Sequence, residues 1–104
     1  MRLVIIESPF AGDVARNIQY ARLAVRDSLL RGEAPIASHL LYTQAGILDD
    51  TVKDERTHGI QAGLAWLKGA DLTAVYVDYG ISDGMRLGIA AAKEAGVPVE
   101  YRHL

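Results

Sequence analysis

The chain has no cysteine. That excludes disulfides, thiolate nucleophiles and cysteine-ligated metals, and it fits a cytoplasmic setting. Prolines number 3, and there is 1 tryptophan and 1 phenylalanine. An excess of one charge sign is also missing: 11 basic against 13 acidic residues leave a formal net charge of −2. No global field therefore draws the chain toward nucleic acid or an anionic membrane. Long hydrophobic runs are absent too. The start, Met1-Arg2-Leu3-Val4-Ile5-Ile6-Glu7, holds an apolar run too short for a signal peptide or a membrane span. No repeat, low-complexity tract or linker divides the sequence. What remains is 104 residues, half of them apolar, enough for one domain over residues 1–104 built on one core.

The hydrophobic pattern alternates between strand-like and helix-like periods. Arg2 to Glu7 reads as a central strand buried on both faces, ending at Ser8-Pro9. Asp13 caps a long helix to Arg31, with Val14, Ile18, Ala21, Val25 and Leu29 as its inner stripe and Gly32 as its stop. Ala34 to Ser38 is a second strand, and Pro35 suits it to a sheet edge. The segment from His39 to Gly46 fits either a short helix or a loop. A helix follows from about Val52 to Lys68, weakened by Gly59 and Gly63, which stand four apart on one face. Trp66 belongs to the core on this reading. Leu72 to Asp78 is the third strand, Asp83 to Ala95 the last helix, and Val97 to Tyr101 the fourth strand. This βαβαβαβ order predicts an α/β fold: a single-domain, parallel four-stranded sheet of order 2-1-3-4, helices on both faces, flavodoxin- or Rossmann-like. Ligands of such sheets bind beyond the carboxyl ends of the strands where the winding reverses. Two loops meet there, Ser8 to Gly12 and Asp78 to Gly84.

The second of these loops carries the strongest local signal. Val75-Tyr76-Val77-Asp78-Tyr79-Gly80-Ile81-Ser82-Asp83-Gly84-Met85-Arg86 reads as a strand end, a glycine turn and a Ser82-capped helix start. Free N–H groups at such a start attract anions, so a phosphate or carboxylate is expected near Ser82 to Met85. The candidate binding residues are Ser8, Pro9, Phe10, Gly12, His39, Tyr79, Gly80, Ser82, Asp83, Gly84 and Met85. Glu7 ends a buried strand and must be paired or face a pocket. With Asp78 on the adjacent strand it forms the candidate catalytic pair, since neighbouring carboxylates drive one pKa upward.

Competing chemistries carry less. Gly80-Ile81-Ser82-Asp83-Gly84 matches the serine-hydrolase elbow G-x-S-x-G, but only His103 follows the serine and the chain is far smaller than that fold. A helix cap is the plainer reading. His39, His58 and His103 have no metal-ligand spacing, so no metal and no cofactor are expected. His39, directly after a strand, either caps a helix or faces the crevice. Asp49, Asp50, Asp54 and Glu55 read as a solvated helix start, with an acid/base or Mg²⁺ role as the alternative. Phe10 is either core or a ring that stacks on a ligand.

Taken together, Ser8-Pro9-Phe10-Ala11-Gly12 after strand 1, Trp66-Leu67-Lys68-Gly69-Ala70-Asp71 before strand 3, and Ser82-Asp83-Gly84 opening a helix resemble the nucleoside 2-deoxyribosyltransferase-like superfamily, including small phage-encoded domains. The resemblance spans nearly the whole chain. It implies an N-glycosidic activity on deoxynucleosides, metal-free homodimers, and sugar or phosphate held by Ser8, Phe10, Gly12, Ser82 and Gly84. It also implies a nucleophilic glutamate on the last helix, where this chain has Gly88, and an aspartate near Trp66, where it has Gly63. The expected function is therefore nucleotide or nucleoside-phosphate binding without that glutamate, with N-glycosidase or 2-deoxyribosyltransferase action through relocated carboxylates as the alternative. Leu40, Leu41 and Tyr42 are read as an exposed patch suited to a homodimer.

Overall fold

The computed structural model describes residues 1–104. Strands β1 (Leu3–Glu7), β2 (Ala34–Ile36), β3 (Leu72–Tyr76) and β4 (Val99–Arg102) form one parallel sheet of order β2-β1-β3-β4, as the element pattern predicts. Glu7 stands opposite Val75, so β1 and β3 end side by side. The loops that follow them turn through Gly12 (φ +96°) and Gly80 (φ +81°), a backbone region that residues with a Cβ rarely adopt.

Side chains alternate across this sheet and so separate two faces. Val4, Ile6, Ala74 and Tyr76 pack with Tyr20 and Ala24 of helix α1 (Val14–Leu30). Val75 packs on the other face with Met85 and Ile89 of the last helix, Asp83–Glu94. Two further helices lie between β2 and β3. These are α2 (Ser38–Leu41) and α3 (Lys53–Ala65), the latter closed by a 3₁₀ turn at Trp66–Lys68. The last helix is accordingly α4.

Helix α1 begins where expected, with the Asp13 side chain accepting from the Arg16 N–H at 3.1 Å. Its buried stripe differs from the apolar count. Asn17, Tyr20, Ala21, Ala24 and Ser28 face inward, while Val14 and Leu29 are exposed. Polar groups win these positions because each is satisfied. Asn17 donates to the Phe10 and Ala11 carbonyls, and Ser28 donates to Glu33 at 2.8 Å. Glu33 in turn holds the buried Arg102 through two 2.8 Å bonds and Arg2 through a third. This ion cluster, read nowhere in the hydrophobic pattern, ties β4 to the start of β2 beneath the second half of α1.

Trp66 is not core. It is 49% exposed, with its indole N–H donating to the Tyr42 hydroxyl at 2.9 Å. It lies in the 3₁₀ turn and flanks an apolar groove with Leu3 and Ile36. The ambiguous segment after β2 resolves into the single turn α2 followed by turns. The two glycines of α3 do permit a close approach. Gly59 faces the Leu48 methyl, and a Cβ at Gly63 would lie 2.5 Å from Ser38 Oγ.

Candidate functional site

A cavity of about 350 Å³ opens on the α4 face of the sheet, beyond the end of β1. Such a volume suits a small organic ligand. Its floor is Ile5 and Glu7 of β1 with Gly88 of α4. One wall is the start of α4, Ser82 to Met85, and another is the inner face of α3 with Gly59, Gly63 and Leu64. Ser8, Phe10 and His39 complete it from the loop after β1 and from α2.

Of the candidate residues, Glu7, Ser8, Phe10, His39, Ser82, Asp83, Gly84 and Met85 meet in this one cavity. Phe10 and Ser82, far apart in sequence, line the same space because β1 and β3 are neighbours. Pro9, Gly12, Tyr79 and Gly80 are not among its lining residues. Pro9 is buried, and Gly12 only turns the chain into α1. The Tyr79 ring packs on Tyr20, their centroids 4.7 Å apart, beneath the Arg16 guanidinium.

Asp78 does not join Glu7, which corrects the expected carboxylate pair. Its side chain turns to the α1 face, where the Tyr20 hydroxyl donates to it at 2.6 Å and the Leu104 N–H at 3.0 Å. The Tyr20 bond first, then that N–H, hold its carboxyl below the ordinary range. Strand alternation explains the separation: Glu7 projects toward α4, whereas Asp78 follows Tyr76 toward α1.

Glu7 is the unusual group of the cavity. Burial alone pushes its carboxyl up to about 8, with no opposing cation or donor among the causes. It is therefore mostly protonated at neutral pH and can donate a hydrogen bond as well as accept one. Beside it, Ser8 Oγ and His39 Nε2 share a 2.7 Å hydrogen bond. Burial pushes the imidazole down to about 4, so this pair is uncharged as well. The wall at α4 is capped by Ser82, whose Oγ accepts from the Met85 N–H at 3.3 Å while the Met85 sulfur accepts from the Ser82 N–H. Methionine here takes the place usually held by glutamate or glutamine in a capping box.

Four charged lining residues surround this neutral floor: Asp50, Glu55 and Asp83 against Arg56. Asp83 is paired outward with Arg86 at 3.0 Å. Sequence reasoning placed the whole run from Asp49 to Arg56 in solvent. Asp49 does bond its own turn through Thr51, yet Asp50, Glu55 and Arg56 reach the cavity. No periodicity signals this, because the segment from Tyr42 to Thr51 is irregular and only the tertiary fold brings it back.

A family model described as a domain of unknown function, DUF7768, matches residues 2–102. No curated protein matches the chain. Among solved structures, a 2-deoxyribosyltransferase from the psychrotolerant bacterium Bacillus psychrosaccharolyticus superposes with a TM-score of 0.64 at 21% sequence identity, covering 97% of this chain and 72% of that one. That enzyme is described as a biocatalyst for the synthesis of nucleosides. At this identity the likeness speaks for a shared fold. The chain belongs to the DUF7768 family, and it is built on an α/β fold similar to that of a 2-deoxyribosyltransferase.

Proposed function

We propose that the cavity binds a small nucleoside or nucleoside monophosphate. The observation that carries this reading is one cavity joining an aromatic ring, an uncharged polar floor and a capped helix start: Phe10, Glu7 with Ser8 and His39, and Ser82 to Met85. A base can stack on Phe10 and exchange hydrogen bonds with the floor. A single phosphate can meet Arg56 or the start of α4. The carboxylates of Asp50, Glu55 and Asp83 near Arg56 disfavour a longer polyphosphate, since like charges repel at close range. The similarity to a 2-deoxyribosyltransferase fold supports the nucleoside class of ligand.

A second reading has its own support. The protonated Glu7 carboxyl suits a general acid that would protonate a departing base, which makes N-glycosidic cleavage the enzymatic alternative. A panel of 2′-deoxynucleosides and their 5′-monophosphates separates the two. Ligand-dependent thermal stabilisation without free base supports a binder. Release of base that is lost in Glu7→Gln supports the enzyme. Neither stabilisation nor release across the panel contradicts both.

We also read the chain as a homodimer. Of the Leu40–Leu41–Tyr42 patch only Leu41 is exposed, since Leu40 packs against the core and Tyr42 is half-buried; with Ile47, Val52 and Ile60, exposed around α2 and α3, it leaves apolar side chains that a second copy would cover. A sedimentation mass of one chain at micromolar concentration contradicts this.

A further inference from the structure

Gly88 lies inside α4 and is buried, at a position where alanine is the better helix former. Its glycine is explained by what stands opposite. A Cβ at 88 would lie 2.5 Å from Glu7 Cδ, 2.8 Å from Oε1 and closer still to Oε2. Real Cβ atoms do not approach so near, so any side chain at 88 must displace the Glu7 carboxyl. That carboxyl is the free end of a flexible side chain and can move without moving the backbone. Strand and helix thus share one volume, which either a residue at 88 or the end of Glu7 can fill.

We propose that Gly88 is a specificity-determining position: its bare backbone forms a slot that holds the Glu7 carboxyl at the cavity floor, aimed at an uncharged hydrogen-bond acceptor of the ligand, such as a base carbonyl or ring nitrogen. The slot keeps the carboxyl away from water and from any neutralising partner, consistent with its elevated titration. The other titratable groups lining the cavity are His39 on α2, Tyr42 just after it, Asp83 on α4, Glu55 and Arg56 on α3, and Asp50 before α3. His39 is uncharged, and the raised Glu7 carboxyl is accounted for by burial rather than by any of these charges. A neutral carboxyl donates its proton to an acceptor, and once ionised it repels that same acceptor. The slot requires no assumption about the ligand, whereas its ligand-facing role rests on the nucleoside reading.

Carbon-13 NMR of the side-chain carboxyls tests the slot directly, with Glu7→Gln assigning the resonance. The wild type is expected to titrate Glu7 at about 8, and Gly88→Ala to bring it toward the ordinary 4.5 as the new methyl expels the carboxyl. A folded Gly88→Ala that still titrates Glu7 at about 8 overturns the proposal. Should Gly88→Ala not fold, the double variant Glu7→Ala/Gly88→Ala decides. Recovery of the fold identifies the clash with Glu7 as the cause, and no recovery overturns it. The ligand-facing role is read with 2′-deoxyadenosine and 2′-deoxycytidine. Affinity should fall about tenfold per pH unit above the Glu7 midpoint and lose this dependence in Glu7→Gln. Binding indifferent to pH in the wild type overturns that role. No binding at any pH overturns the nucleoside reading, while the carboxyl titration still decides the slot.

Discussion

The residue that most sharply connects this chain's sequence to its chemistry is Glu7. Its identity at the end of a buried strand demands either a partner or a pocket, and the structure supplies the pocket. The expected partner, Asp78, went to α1 because Tyr20 offers it a hydroxyl on the opposite face. A strand-end carboxylate is visible in sequence. The face it takes follows from register and packing, which one sequence does not print. Glu33 and Arg102 are a second case. Both are only 4% exposed, and each satisfies the other bidentately. Glu33→Gln removes the bidentate carboxylate from a buried guanidinium that Glu100 and the Tyr76 hydroxyl still hold, and should destabilise by about 1.5–3 kcal/mol in chemical denaturation; no measurable loss speaks against the buried pair. Thr73 is the reverse case. Its hydroxyl is buried without a hydrogen-bond partner on the central strand β3. Thr73→Val keeps the shape and removes that group, so stability should hold or rise by about 1 kcal/mol, whereas a clear fall in the melting midpoint indicates a partner for the hydroxyl.

At the scale of elements, the strands and the two outer helices follow from sequence to within about two residues at each end, because their caps and stops are explicit, although the buried stripe of α1 is not its apolar one. Asp13 and Ser82 both cap as their types predict. Ser82→Ala should cost about 1 kcal/mol through loss of its bond to the Met85 N–H. No change on equilibrium unfolding contradicts the cap. Helix α3 was harder to read, since its period is blurred and its glycines look like defects. They are contact points, and the prediction inverts the usual propensity rule. Alanine at an interior helical glycine ordinarily stabilises by about 1 kcal/mol. Gly63→Ala should instead lower the melting midpoint, because the new methyl meets Ser38 Oγ at 2.5 Å. A raised midpoint means that α2 and α3 are not packed as described. The irregular stretch between these two helices, which brings Asp50 to the cavity, carries no period and was legible only as polar.

For the whole molecule, the sheet order was legible because short connections and right-handed crossovers leave few alternatives. Part of one cavity was legible too, since the winding reversal places Phe10 and Ser82 together. No helix is long and apolar enough to cross a membrane. The buried titratable groups give the molecule a particular pH profile. Glu7 rises from 4.5 to about 8 on folding, so the native state holds its proton more tightly and stability falls as pH rises through that window. His39 drops from 6.5 to about 4, so stability also falls as pH drops below 6.5 toward 4. Between 4.5 and 6.5 the two slopes oppose each other and stability is nearly flat. Glu33, held down to about 2 mainly by Arg102, adds a further loss below 4.5. Urea denaturation across pH should therefore show a plateau near pH 4.5–6.5. Glu7→Gln should remove the alkaline fall, and a profile still rising through pH 8 contradicts a buried, unpaired Glu7.

The central claim is that the space between β1 and α4 receives a nucleoside-type molecule on the Glu7 floor. Amide chemical shifts followed while 2′-deoxynucleosides are titrated into the intact protein test it most directly. The account predicts that residues 7–11 and 82–88 respond together and saturably, with Glu7→Gln weakening the response. Perturbations gathered instead around Trp66, or a spectrum that no nucleoside moves, contradict it.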